Sequence, residues 1–306
     1  MIYGKLSNPR VLKRPPGDQR AKIRFALWRF LCFLRSMPAA EKTLVYLILG
    51  AAGSGRREVI VDLIADGLAE TDRPSVMLPA DEPLHEADQQ LPPGPRWRWE
   101  NPPAGFVAAE LPRTASPVFF VTDGRRNPVD QIEAFKAWLD TQGGQLARII
   151  CVVDCQLASQ HPSLLAWYDA CIHFSDVALL NHREGVENKW LSDFLLHFKK
   201  QHLPCVFETV KAGRVKNPAL ILEPEARRMS QVFDEEQDWI FKNADGEVID
   251  EMEEGDDDDE EIEATPIEDP YLARRLGGRR VKEFPDIATF LGKIRPQAEP
   301  STGNPR

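Results

Sequence analysis

A run of apolar, mainly β-forming residues at positions 43–49 ends at Gly50 and leads directly into a glycine-rich stretch. A continuous apolar run of this length is typical of a strand that is buried on both faces, as in a parallel sheet. The residues that follow, 57–68, repeat their apolar side chains at helical spacing. This order of strand, glycine turn and helix constrains the fold strongly, because it is the repeating unit of α/β domains.

Strand and helix patterns continue to alternate along most of the chain. They predict further strands at residues 75–78, 118–122, 148–154, 177–180 and 205–209, and helices at 129–141, 162–170, 186–201 and 218–228. Such alternation predicts an α/β domain with a mainly parallel sheet and right-handed crossovers. Residues 79–117 interrupt it with nine prolines, so we expect an extended surface excursion there, with room for one strand at 105–111.

The glycine-rich stretch has the spacing of a phosphate-binding loop, G-x-x-x-x-G-K-[ST], with its last two positions changed. In such a loop, backbone N–H groups and the amino end of the next helix surround a phosphate, Lys binds the terminal phosphates, and the hydroxyl binds Mg²⁺. The candidate nucleotide-binding residues are therefore Gly50, Gly53, Ser54, Gly55, Arg56 and Arg57.

The two changed positions weaken the predicted chemistry. Arg56 keeps a positive charge but is bulkier than Lys, and Arg57 offers no hydroxyl, so we expect weak Mg²⁺ binding or none. A tight strand-to-helix connection without a ligand is the simpler interpretation of the glycines. Their position after a buried strand and before a helix favours the phosphate loop, and with it the three-layer fold of P-loop NTPases.

Further motifs follow the loop in the order of a known family. The segment V-T-D-G-R-R-N-P at 121–128 is similar to a switch segment E-T-S-G-x-A-D-P, and V-V-D-C at 152–155 is similar to a strand ending V-V-D-A. The segment S-D-V-A-L-L-N-H-R-E at 175–184 is similar to A-D-x-x-x-x-N-K-x-D, and a later strand with a following glycine matches 203–213. Residues 43–220 thus resemble the CobW-like group of P-loop GTPases, which includes the hydrogenase and urease nickel-insertion GTPases.

The resemblance implies GTP or GDP as the cofactor, with Asn181 and Glu184 beside the guanine base and Asp123 as the candidate catalytic residue. The departures from the family are chemical, since His182 replaces a lysine and Glu184 an aspartate. Purely structural roles are the alternatives for these motifs: a polar turn at 181–184, an Asp-Gly turn at Asp123 and a helix cap at Asp154. The family's C-x-C-C metal site is missing from 79–117, which contains no cysteine, so a thiolate metal site cannot form there and no metal ligands are predicted. The carboxylates of this segment and His85 would at most form a weak oxygen-rich site, and the simpler expectation is that these carboxylates are solvated.

The formal net charge of −10 combines three unlike parts. Residues 1–40 carry nine basic side chains and one acidic, and residues 234–263 carry seventeen acidic and one basic. We therefore predict a basic N-terminal extension at 1–40, a P-loop GTPase-like domain at 41–233, an acidic disordered linker at 234–268 and a basic C-terminal tail at 269–306. The tail either docks on the body or binds a protein partner, and it lacks the interleaved aromatic residues that would indicate nucleic acid.

The five cysteines form no C-x-x-C pair, which indicates a reducing, cytoplasmic compartment. No apolar run near the N-terminus reaches the roughly 20 residues that span a bilayer, so no transmembrane segment is predicted. Residues 22–35 have the composition of a cationic membrane-surface or targeting helix. An upstream extension without a role, ahead of Met37, explains them equally well.

These observations predict a guanine-nucleotide-binding P-loop protein that resembles CobW-like GTPases, with degenerate motifs and weak or no hydrolysis. The alternative is a pseudo-GTPase scaffold that binds no nucleotide and acts through a protein partner. The proline-rich excursion, the acidic run and the basic tail are the segments expected to bind that partner, which the sequence does not identify.

Overall fold

A nine-stranded sheet lies at the centre of the part of the chain that the computed structural model describes, residues 42–100, 106–107, 110–234, 239–242, 263–266 and 268–292. Its strands are β1 (Leu44–Gly50), β2 (Ser75–Pro79), β3 (Arg96–Trp99), β4 (Phe106–Val107), β5 (Val118–Val121), β6 (Gln145–Asp154), β7 (Val177–Asn181), β8 (Val206–Lys211) and β9 (Arg214–Val215). Their spatial order is β4-β3-β2-β5-β1-β6-β7-β8-β9. Neighbours from β3 to β8 pair in parallel, whereas β4 and β9 pair antiparallel at the two edges.

Helices cover both faces of this sheet. They are α1 (Arg56–Gly67), α2 (Pro128–Gln142), α3 (Cys155–Gln160), α4 (Leu165–His173), α5 (Asn188–Lys200) and α6 (Pro218–Ile221). Alternate side chains of β1 enter two apolar clusters: Val45 and Leu47 share one with α2, α4 and α5, and Tyr46 and Ile48 share the other with α1 and α6. Burial on both faces explains why β1 is apolar throughout. The predicted three-layer α/β fold with a mainly parallel sheet is confirmed.

The glycine loop lies at the carboxyl edge of the sheet. From β1 the chain continues to β2 on one side, and from β6 it continues to β7 on the other, although β1 and β6 are neighbours. Ligand crevices of parallel sheets form outside the carboxyl ends of strands whose connections diverge in this way. Gly50, Asp154 and Asn181 end β1, β6 and β7 respectively, so the candidate motifs share one edge.

The proline-rich excursion at 79–117 contributes a strand to the sheet. In β3, Arg96 and Arg98 are exposed while Trp97 is buried, and the strand adds to β2 in parallel. The Trp97 indole N–H donates to the Val121 carbonyl at 2.9 Å. The prediction of a surface excursion is therefore wrong for β3, whose alternation of Arg and Trp is itself a strand pattern.

The helix predicted at 218–228 is much shorter than expected. α6 ends at Ile221, because Pro224 has no N–H to donate and disfavours helical geometry in the residue before it. The buried Arg148 of β6 instead donates to the carbonyls of Leu220, Ile221 and Glu225. The Arg148 guanidinium thus provides hydrogen-bond donors for carbonyl groups that a longer helix would have paired with its own amides.

Several predicted features lie outside the described residues. These are the basic extension at 1–40 and, except for Glu263, the acidic run at 251–263. Within the range predicted as a linker, β10 (Trp239–Lys242) and β11 (Glu263–Pro266) pair as an antiparallel hairpin. None of the described helices is both long enough and apolar enough to cross a membrane.

The described part of the basic tail, residues 268–292, docks on the body. Tyr271 and Ile287 enter the apolar cluster that also contains α2 and α4. Asp269 lies 2.8 Å from the His173 ring nitrogen at the end of α4. Burial raises the pKa of Asp269, but hydrogen bonds from His173 and other groups outweigh it and leave the pKa below its usual value.

Arg280 is the main polar link between the tail and α2. It is buried, and its guanidinium lies 2.6 Å from Asp130 and 2.7 Å from Glu133. We expect Arg280→Ala to lower the free energy of unfolding by about 1–2 kcal/mol, because the packing of the buried arginine is lost and the partly exposed Asp130 and Glu133 each lose a charged partner. Urea denaturation followed by circular dichroism measures this. Arg279→Ala, at an exposed neighbour, is the control and should change the value by less than about 0.5 kcal/mol.

Candidate functional site

The glycine loop turns sharply between β1 and α1. Gly50 and Gly55 have positive φ angles of 138° and 84°, which L side chains rarely adopt. A Cβ atom at Gly50 would lie 2.5 Å from the Val152 carbonyl oxygen, and one at Gly55 would lie 2.2 Å from Asn181 Nδ2. Both the backbone conformation and the close approach of neighbouring strands therefore require glycine at these two positions.

The amino end of α1 is open. Gly55 is its N-cap and no side chain caps it. Helical hydrogen bonding begins with the Val59 N–H and the Gly55 carbonyl at 3.1 Å, so the amides of the first turn have no acceptor within the helix. In the loop before it, the amides of Ala52 and Ser54 already donate to carbonyl groups. The open end of α1 and its dipole favour an anion here.

A cleft of 230 Å³ lies beside the loop. It is lined by loop residues, the first turn of α1, residues 82–85 and Arg125. One amino group of Arg125 donates to the Gly292 carbonyl at 2.9 Å, and its Nε atom has no hydrogen-bond partner among the described residues. The sequence motifs did not single out Arg125, which brings a positive charge to the cleft from the switch-like segment.

Arg56 and Arg57 are buried and hold an internal carboxylate. Arg56 binds the Thr122 carbonyl and lies 2.5 Å from Glu82 Oε1, and Arg57 lies 3.1 Å from Glu82 Oε2. The backbone amide of Gly124 donates to Glu82 Oε1 at 3.0 Å. Two guanidinium groups and one amide thus surround the Glu82 carboxylate.

Hydrogen bonds and ion pairs hold the segment 82–88 against the first turn of α1. Arg57 donates to the Pro83 carbonyl at 2.8 Å and lies 3.2 Å from Asp88, and His85 lies 3.4 Å from Glu58. The expectation that the carboxylates of 79–117 are solvated is wrong for Glu82, which is buried. The sequence feature that could have indicated a buried carboxylate is the pair of adjacent arginines at the start of a helix. Guanidinium groups stay charged, and they need acidic partners when they are buried.

The Glu82 carboxylate is ionised at neutral pH. Burial raises its pKa, but the charge of Arg56, the hydrogen bond from Gly124 and the charge of Arg57 outweigh burial and hold the pKa of Glu82 below its usual value. With Asp88 as a second carboxylate, the charges of the two arginines are balanced before any ligand binds.

The guanine-motif residues separate in space. Asn181 is buried, and its Nδ2 donates to the Ser54 carbonyl at 2.9 Å. The side chain of Glu184 is exposed on the turn after β7, and its backbone carbonyl accepts a hydrogen bond from Gln156 at 2.7 Å. The structure therefore brings Asn181 to the loop, and the predicted pairing of Asn181 with Glu184 around a base stays a prediction.

His182 and Asp154 form a pair beside the loop. His182 Nδ1 lies 3.0 Å from Asp154 Oδ2, while Asp154 Oδ1 caps α3 by accepting from the Leu157 amide at 2.9 Å. The hydrogen bond that His182 donates to Asp154 raises the pKa of His182 against the opposing effect of burial. The imidazolium is favoured where the family carries a lysine.

The raised pKa of His182 predicts a pH-dependent stability. Its contribution is fully present below the unfolded-state pKa of about 6.5 and is lost as pH rises through the higher folded pKa. His182→Asn should remove this pH dependence, and asparagine tolerates the positive φ of 50° at this position. Urea denaturation of both proteins from pH 6 to 9 measures it. His202→Asn, at an exposed histidine with φ 54°, is the control, and an equal pH profile for wild type and His182→Asn would contradict the assignment.

Asp123 is engaged in the turn between β5 and α2. Its carboxylate accepts from the Arg125 amide at 2.9 Å and from Arg126 Nε at 2.8 Å, and its own amide donates to Gln131 at 2.7 Å. A catalytic role for Asp123 stays a prediction. In the described ranges, no group of three or more His, Cys, Asp or Glu side chains is arranged to hold a metal ion.

Comparison with known proteins gives a distant structural likeness. No family model and no curated protein matches the chain. The chain is similar to two solved structures, the Zn(II)-bound YjiA GTPase from E. coli and a Zn(II)-bound triple mutant of YjiA GTPase, with TM-scores of 0.35 and 0.33. Each alignment has 12% identity and covers 66% of this chain and 72% of the other.

Proposed function

We propose that this chain is a P-loop protein of the CobW-like GTPase type that binds a guanine nucleotide at its glycine loop and hydrolyses it weakly or not at all. One observation carries the proposal: segments distant in sequence converge on the loop in the places that the resemblance requires. The Ala52 amide donates to Gly124 of the switch-like segment at 3.0 Å, and Asn181 of the guanine-motif segment donates to Ser54 at 2.9 Å.

The backbone of the loop suits the phosphates of a nucleotide. The glycine turn and the uncapped end of α1 present amides toward an anion, as phosphate loops do. Arg125 lines the same cleft and supplies positive charge. In this proposal the amides of residues 50–57, apart from those of Ala52 and Ser54 that already donate to carbonyl groups, hold the phosphates. Asn181 fixes the loop from the side on which the base would lie.

The residues present fit Mg²⁺ poorly. Where a phosphate loop has a hydroxyl ligand, this chain has Arg57, a buried cation held by Glu82 and Pro83. The guanidinium groups of Arg56 and Arg57 supply no oxygen ligand, and the Glu82 and Asp88 carboxylates beside them are already paired. Phosphoryl transfer depends on metal charge and on a group that positions water, and the Asp123 carboxylate is committed to the β5–α2 turn. These features support slow hydrolysis or none.

A second candidate is the pseudo-GTPase scaffold, and one observation favours it. The Glu82 and Asp88 carboxylates already pair with Arg56 and Arg57, so the charges of the two arginines are balanced without a nucleotide. Against it, two surfaces expected to serve a partner are used internally, since β3 joins the sheet and residues 268–292 dock on the body.

Titration of fluorescent GDP and GTP into the full chain, with and without Mg²⁺, separates the two candidates. We expect micromolar binding that changes less than about threefold when Mg²⁺ is added. Gly55→Ala should weaken binding by more than about thirtyfold, since it strains a positive φ and displaces Asn181. Gly143→Ala, at φ 66° with no heavy atom within 4 Å, is the control for backbone strain. No binding at millimolar nucleotide would contradict the proposal and leave the scaffold.

A further inference from the structure

Each terminal nitrogen of the two loop arginines already donates to an acceptor. The two terminal nitrogens of Arg56 donate to the Thr122 carbonyl and to Glu82. Those of Arg57 donate to Pro83 and Asp88 and to Glu82. An anion that binds these guanidinium groups must therefore compete with a carboxylate that they already hold.

The Glu82 carboxylate is held as a bound anion would be. It receives two charge-assisted bonds from side chains, at 2.5 and 3.1 Å, and one bond from the Gly124 amide. It is buried, and its neighbours Pro83 and Asp88 are fixed by Arg57. Charged, buried groups with complete hydrogen bonding are costly to separate, so Glu82 competes effectively with an external ligand.

The anion-binding groups at this edge therefore fall into two sets. The backbone set consists of the loop amides and the open end of α1, and the hydrogen bonds that Ala52 and Ser54 make within it go to backbone carbonyls. The second set consists of the Arg56 and Arg57 side chains together with the Gly124 amide, and all three already bind the Glu82 carboxylate. A ligand with a short phosphate chain can use the first set alone, whereas a longer chain must displace Glu82.

Resting on the proposed function, we infer that Glu82 is a specificity-determining residue that acts as an internal anion and makes the loop select a nucleoside diphosphate over the triphosphate. The additional phosphate of the triphosphate would have to bind Arg56 and Arg57, and the Glu82 carboxylate already lies at that position. The like charges repel, and displacement of Glu82 would leave a buried carboxylate without its partners.

Isothermal titration of the full chain with GDP and with GTP tests the inference. We expect the wild type to bind GDP at least about tenfold more tightly than GTP. Glu82→Gln removes the charge and keeps the size of the side chain, so it should raise GTP affinity at least about tenfold while GDP affinity changes less than about threefold. Glu86→Gln removes an exposed carboxylate from the same segment and should leave both affinities unchanged.

The outcomes separate this inference from the proposed function. Equal affinity of the wild type for GDP and GTP, or a parallel gain for both in Glu82→Gln, overturns the role of Glu82 while nucleotide binding stands. Absence of binding by either nucleotide to either protein overturns both. If circular dichroism shows that Glu82→Gln is unfolded, Glu82→Asp replaces it, because this variant moves the carboxylate back by one methylene. An unchanged ratio of GDP affinity to GTP affinity in Glu82→Asp also overturns the inference.

Discussion

Gly124→Ala will lower the free energy of unfolding by about 2–4 kcal/mol, because there is no space for a side chain where the switch-like segment crosses the glycine loop. A Cβ atom at this position would lie 2.2 Å from the Ala52 nitrogen, 2.6 Å from the Ala51 carbonyl carbon and 2.7 Å from an Arg56 amino group. Two of these atoms are backbone, so the two segments must move apart. The hydrogen bond from Ala52 to Gly124 at 3.0 Å and the bond from Gly124 to Glu82 would both lengthen.

Urea denaturation at pH 7, with an unchanged dependence on urea concentration, measures this loss. Gly292→Ala is a suitable control, since a Cβ atom there would have no heavy atom within 4 Å and the Gly292 carbonyl contacts the same switch-like segment through Arg125. A loss below about 0.5 kcal/mol in Gly124→Ala would show that the two segments are not held together as tightly as their spacing indicates.

The strand, glycine turn and helix at 43–68 could be predicted because local patterns specify them. The apolar run forms β1, and the spacing of apolar residues forms α1 with its start one residue earlier than expected. The strand β3 was missed because prolines on both sides suggested an irregular loop, although its Arg and Trp alternation is regular. Local signals also failed at 218–228, where Pro224 stops the helix that the apolar spacing favoured.

The candidate site could be predicted only in its backbone. The glycines mark the loop, and Asn181 was expected near it, because both depend on short motifs at strand ends. The contacts of Arg56 and Arg57 with Glu82 join residues 26 and 25 positions apart, and such a pairing depends on how the 82–88 segment folds back over α1. Arg125 was overlooked for the same reason, since its place in the cleft is set by the turn after β5 and not by its neighbours in sequence.

Asp176→Ala will destabilise the protein by about 3–5 kcal/mol, because it removes the carboxylate at the centre of a buried polar cluster. Asp176 is fully buried immediately before β7. Its oxygens accept from the backbone amides of Ile149 and Arg227, each at 2.6 Å, and lie 3.3 Å from the Arg228 guanidinium. Alanine would leave both amides unpaired and would leave Arg228, whose side chain is 5% exposed, with only part of its ionic contacts.

Asp176→Asn should lose roughly half as much as Asp176→Ala, since it keeps the size and one acceptor oxygen. Burial raises the pKa of Asp176 even though Arg228 and the two amides oppose the rise. The buried negative charge is therefore itself unfavourable, and the neutral asparagine avoids that part of the free-energy cost. Asp193→Ala, on the exposed face of α5, is the control for loss of an aspartate. Urea denaturation of the three variants ranks them, and equal losses for Asp176→Ala and Asp193→Ala would mean that the cluster does not hold β6, β7 and the 227–228 segment together.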